Sequence, residues 1–179
     1  ISVLDVDTGE NLPDFISDDI YPKIDVWNAE GTGFWYVRRD PKAPEDALKF
    51  HKRLYFHRVG TDSEEDKYVW GKEFAREWIP STSLSHDGKY QVGVIYGQDE
   101  GERWCEIYVR EIATKSGFSL AVERVAGVEC YGYIHRDKLY VVTNDGAPRG
   151  KVMMSPIDQV LAGNSTFTDV LPEGEAVLE

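Results

Sequence analysis

The feature that most constrains this chain is a hairpin-like unit that comes back three times. Residues 83–96, Ser-Leu-Ser-His-Asp-Gly-Lys-Tyr-Gln-Val-Gly-Val-Ile-Tyr, place apolar runs on both sides of Asp87-Gly88. An Asp-Gly between two strand-like runs signals a hairpin, because glycine takes the positive φ that a primed turn needs. Similar units occupy residues 24–37 and 130–143. Glu30 and Asp87 lie 57 positions apart, and Asp87 and Asp137 lie 50 apart. A hairpin recurring at that period implies a stacked β repeat.

The segments between hairpins fill out each repeat. Residues 3–9 read as a strand ending in a turn. Residues 12–16 read as a second strand, with Pro13 suited to a sheet edge. The first full unit begins near Tyr21, with its hairpin at 22–27 and 33–38. A polar excursion over 39–49 follows, then an alternating strand at 51–60, an acidic turn at 61–66 and a short strand at 67–70. Residues 74–78 read equally as a helical turn or a linker. The second unit has its hairpin at 79–85 and 90–96, a loop at 97–102 and an alternating strand at 104–112. Cys105, Ile107 and Val109 share one side of that strand, and its fourth strand is 119–125. The third has a hairpin at 128–135 and 138–143, a strand at 151–157, a helical turn near 159–163 and a strand at 167–171.

Four short antiparallel strands in about 50 residues is the arithmetic of a propeller blade. The expected fold is therefore all-β, a partial β-propeller of about three and a half blades. Residues 1–20 form the outer half of one blade. Residues 21–78, 79–126 and 127–172 form three blades, and 173–179 start the next. Open blade edges at both ends would let two copies pair as a homodimer. Ten Tyr, seven Phe and five Trp suit such sheets, since aromatics fit half-buried pleated surfaces.

A net charge of −12 disfavours nucleic acid, which needs a basic face. No run is long and apolar enough to span a membrane as a helix. The two cysteines, Cys105 and Cys130, match no zinc or redox spacing. The expectation is two unpaired, partly buried thiols in a cytosolic protein, with one disulfide as the alternative.

Five segments, in register along nearly the whole chain, resemble the prolyl oligopeptidase family. They are residues 3–14 (Val-Leu-Asp-Val-Asp-Thr-Gly-Glu-Asn-Leu-Pro-Asp), the aromatic run from Trp27 to Tyr36, Leu54-Tyr-Phe-His-Arg-Val-Gly-Thr-Asp62, the hairpin at 83–90, and Thr143-Asn-Asp-Gly-Ala-Pro-Arg149. The most specific is the third, similar to a Leu-Tyr-x-His-x-Leu-Gly-Thr pattern. The resemblance implies part of a seven-bladed propeller that covers an α/β-hydrolase domain in a serine peptidase. That enzyme would cut short proline-containing peptides after proline. The propeller would gate the substrate, and the catalytic Ser, Asp and His would all lie in the hydrolase domain. The implied compartment is the cytoplasm, with the periplasm as the alternative.

The residues agree that this segment carries no catalytic machinery. There is no Gly-x-Ser-x-Gly elbow to expose a nucleophile. His57 sits in a strand and is expected to serve as a structural hydrogen-bonding group, and His86 is expected to shape the Asp-Gly turn. The acidic turns 62–66 and 99–102 lack the spacing of a calcium loop and read as solvated surface. No metal and no cofactor is expected. The resemblance implies three substrate-facing positions. Trp35, with Phe34 as the register alternative, matches a pocket-lining aromatic. Tyr96 falls near an Arg position that some members use; Ile95-Tyr-Gly-Gln-Asp99 keeps neither the Arg nor the Cys found there. Arg149 is expected to form an ion pair between blades. The rival reading is a stand-alone propeller that binds a protein or peptide and has no enzymatic activity.

Overall fold

The computed structural model describes residues 1–17, 23–44, 49–114 and 116–178. The expected boundary at residues 20 and 21 lies outside them. Contacts divide the chain into two units, residues 1–81 and 82–179. Each sheet is a simple antiparallel meander whose strands pair in chain order.

The first unit opens with the pair β1 (Ser2–Leu4) and β2 (Asn11–Phe15). A four-stranded sheet follows in the order β3 (Lys23–Trp27), β4 (Gly33–Arg39), β5 (Lys52–Arg58) and β6 (Lys67–Trp70). Side chains alternate between the faces of a strand, so Phe34 and Tyr36 point the same way. They bury completely against Tyr55, Val3 and Ile16, which joins β1–β2 to the sheet through one core.

In the second unit one sheet is built from β7 (Ile79–Leu84), β8 (Tyr90–Asp99), β9 (Glu102–Glu111) and β10 (Ser119–Val122). The first three residues of β7 belong to the first unit. The other sheet contains β11 (Cys130–His135), β12 (Lys138–Thr143), β13 (Lys151–Pro156) and β14 (Thr168–Leu171). Their facing sides share a core of Val92, Cys105, Ile107, Val109, Leu139 and Val141, among others. Each fully buried Ile, Leu or Val there contributes roughly 1.5–3 kcal/mol. A short helix α1 (Ile157–Leu161) adds Ile157 and Val160, three apart and so on one face. Gly163, at φ 72°, follows its end in the left-handed conformation that commonly stops a helix.

The turns depart from expectation in an instructive way. Asp87-Gly88 is not a two-residue primed turn. Ser85 N–H donates to Tyr90 C=O, and Gly88 N–H donates to Ser85 C=O, so four residues make the connection. Only Gly88 among them has positive φ. Ser85 and Asp87 hold this turn: Ser85 Oγ accepts from Tyr90 N–H, and Asp87 Oδ1 accepts from Lys89 N–H and Ser85 Oγ–H. His86 is exposed and contributes no bond to it among those described. The β3–β4 turn repeats the pattern, with Asn28 in place of Ser85, Gly33 in place of Tyr90 and Gly31 at φ 66°. The primed turn lies elsewhere. β8 runs three residues past its expected end, to Asp99, and β9 begins two residues before its expected start, at Glu102, so the strands close on Glu100-Gly101 with φ 51° and 92°.

The cysteines are also corrected. Cys105 on β9 and Cys130 on β11 form a disulfide, and both are buried rather than partly exposed. Free thiols were expected from a cytosolic setting and from a spacing that matches no zinc or redox motif; the pairing depends on β9 and β11 packing face to face, which sequence spacing does not show.

Candidate functional site

Three aromatic side chains are candidates for meeting a substrate, and the structure places them differently. Phe34 is fully buried, ringed by Trp27 at 4.9 Å, His57 at 5.1 Å and Tyr36 at 6.0 Å between centroids. Trp35 points to the opposite face of β4 and packs on its cross-strand partner Phe56 at 4.9 Å. It too is buried. Tyr96, near the outer end of β8, is 38% exposed. Phe34 and Trp35 belong to the first unit and Tyr96 to the second.

The strongest polar constellation in the first unit is one that spacing did not reveal. His57 on β5 has no exposed surface. Its Nδ1 lies 2.8 Å from Asp66 Oδ1, and its Nε2 lies 2.9 Å from Asp14 Oδ1. Carboxylates only accept, so both contacts are hydrogen bonds when the ring carries both protons. Asp14 Oδ1 also accepts from the Gly60 N–H, and Tyr36 donates its hydroxyl to Asp66 Oδ2 at 2.6 Å. Burial pushes the Asp14 carboxyl up, but the Gly60 N–H and His57 outweigh it and hold the group below its ordinary value. Burial, reinforced by Asp66, raises the Tyr36 phenol.

Two expectations are settled by this arrangement. His57 is a structural hydrogen-bonding group. Asp66 is not part of a solvated turn: its side chain is completely buried, while Asp62 in the same turn caps Glu64 N–H. The network cannot act as a nucleophilic triad. Both ring nitrogens face carboxylates, so neither is turned to a hydroxyl as the base of a triad must be.

Elsewhere the polar side chains brace the fold. Arg149 donates to Glu173, from both its backbone N–H at 2.8 Å and its Nε at 3.2 Å, within the second unit. Arg110 Nε donates to the buried Gln91 Oε1 at 2.8 Å, and its guanidinium lies over Phe118 at 4.9 Å. Burial lowers Arg110 to about 10. Among the described residues no cluster of three or more His, Cys, Asp or Glu could hold a metal ion, and no helix is long and apolar enough to cross a membrane.

Comparison with known proteins agrees with this geometry. The family described as the prolyl oligopeptidase N-terminal β-propeller domain matches residues 1–179. The dual function macrocyclase-peptidase POPB of Galerina marginata is 27% identical over 155 residues, which cover 83% of this chain and 20% of that protein. The prolyl endopeptidase of Elizabethkingia miricola is 24% identical over 182 residues, covering 97% of this chain and 24% of that protein. A solved prolyl endopeptidase superposes with a TM-score of 0.75 at 26% identity, over 97% of this chain and 25% of that one. The chain thus spans about a fifth to a quarter of the length of these relatives.

Proposed function

This chain belongs to the family of prolyl oligopeptidase N-terminal β-propeller domains, and we propose that it serves as the propeller portion of a serine endopeptidase that cleaves short peptides after proline. Its partner in that protein is an α/β-hydrolase domain supplying the catalytic Ser, Asp and His. The role of the chain is to wall the cavity and admit only small peptides. By itself it is inactive. The observation that carries this reading is the match of the whole chain to the family, together with its three meandering four-stranded sheets among the described residues.

The proposed substrate-facing positions are Tyr96, Trp35 and Phe34. Tyr96 leads, because more than a third of its surface is exposed and an aromatic face suits a prolyl ring. Copies of the chain are also proposed to pair through open blade edges. The edge strand β14, with Val170 and Leu171 half exposed, supports that idea, and a clean monomer in sedimentation at high concentration overturns it.

The test of function is an assay of the whole protein that carries this chain. A blocked Gly-Pro chromogenic amide should be cleaved by the whole protein and left intact by the chain alone. A fluorophosphonate probe should label one serine outside residues 1–179. A whole protein that binds a peptide without cleaving it would overturn the peptidase reading in favour of a binding propeller.

A further inference from the structure

The two sheets of the second unit pair no strands with one another among the described residues. Packing of side chains is what holds β11 against β8 and β9. That packing is close because β11 carries Gly132. A side chain begun there would stand 3.1 Å from both Ile107 and Val92. Cys130 lies two residues before Gly132 on the same buried face of β11, as Cys105 lies two before Ile107 on β9. The approach that Gly132 permits brings the two cysteine Cα atoms to 6.0 Å, within the range a disulfide spans. The bond is therefore a covalent side-chain tie across a junction whose described core is apolar.

We propose that Cys105–Cys130 is a redox-conditional staple between these two sheets, and that the protein carrying this chain works with it closed, in an oxidising compartment. Closure passes two electrons and two protons from the thiols to a disulfide oxidant such as oxidised glutathione. One cysteine thiolate attacks the oxidant and releases a thiol. The other then displaces the second thiol from the mixed disulfide. Such bonds persist where thiols are not kept reduced, which favours the periplasmic or extracellular side over the cytoplasm expected from sequence. Burial of both sulfurs shields the finished bond from reductant in the native state.

Two measurements test this. In the first, the protein is isolated from its source cells with thiols blocked by N-ethylmaleimide at lysis and digested with trypsin without reduction. The peptides 104–110 and 125–136 should appear cross-linked. Recovering them separately, each carrying the maleimide, overturns the proposal. In the second, urea unfolding is followed with and without dithiothreitol. Reduction should lower the unfolding midpoint, with a change on the order of a hundredfold in the folding equilibrium. A Cys105→Ala, Cys130→Ala double variant should start at the lower midpoint and not respond to dithiothreitol. If that variant does not fold, the wild-type shift and the trapped peptides still decide. A wild-type midpoint that dithiothreitol leaves unmoved overturns the staple.

Discussion

Tyr96 and Cys105 stand directly opposite each other across the β8–β9 ladder, so the exposed tyrosine shares a sheet face with the disulfide. If Tyr96 meets the peptide, the Tyr96→Ala variant of the whole enzyme should raise KM for a prolyl substrate by roughly 2–10-fold with kcat little changed, the range an aromatic contact supports. Tyr96→Phe should recover most of the loss. An unchanged KM in both variants would remove Tyr96 from the substrate wall.

Trp35 should behave differently from Tyr96. Its ring is buried on Phe56, so Trp35→Ala should cost about 3–5 kcal/mol of stability. Chemical denaturation reads this directly. A loss below about 1 kcal/mol would show that the ring is not held by packing, and would strengthen its proposed contact with substrate.

His57→Ala removes the donor between two buried carboxylates. Uncompensated buried charge makes such a loss large, about 3–5 kcal/mol. Asp14 adds a pH dependence with a definite sign. Its folded value is depressed, so the unfolded chain takes up this proton first, at about pH 3.9. The stability it contributes is complete above that point and is lost as pH falls through the lower folded value. Acid titration of the wild type and Asp14→Asn should show their stabilities converging below about pH 4. A gap that stays constant into stronger acid would contradict the assignment.

Glu100 sits at φ 51° ahead of Gly101 in the β8–β9 turn. A glutamate gains nothing from that left-handed conformation, whereas asparagine tolerates it and Asn-Gly is the favoured pair. Glu100→Asn should raise stability by about 0.5–1 kcal/mol, measured as an upward shift of the urea midpoint. A fall would mean that the turn does not adopt the primed geometry.

The sequence disclosed what depends on local pattern. Residues 67–70 are the strand β6, and the alternation of Cys105, Ile107 and Val109 is the buried face of β9. It misled where one local signal has two geometries. Asp87-Gly88 supplies a positive φ to a four-residue connection as readily as to a two-residue one, while Glu100 hides a primed turn behind a residue type that rarely makes one. Contacts across long separations were invisible. Asp14 reaches His57 over 43 residues because β1–β2 packs on the sheet through Val3 and Ile16. Neither the carboxylate nor the histidine carries a local mark of the other. The candidate substrate positions came from family likeness, and burial then separated Tyr96 from Phe34 and Trp35.

Every sheet is a meander whose strands pair only with their neighbours in the chain. Such a sheet needs nothing from downstream to close its ladders. Loop-closure entropy is small for these short connections, which favours rapid formation. During synthesis, β3–β6 can therefore zip as soon as β6 clears the ribosome, and within the second unit β11–β14 can form after β7–β10. The order of translation becomes the order of assembly.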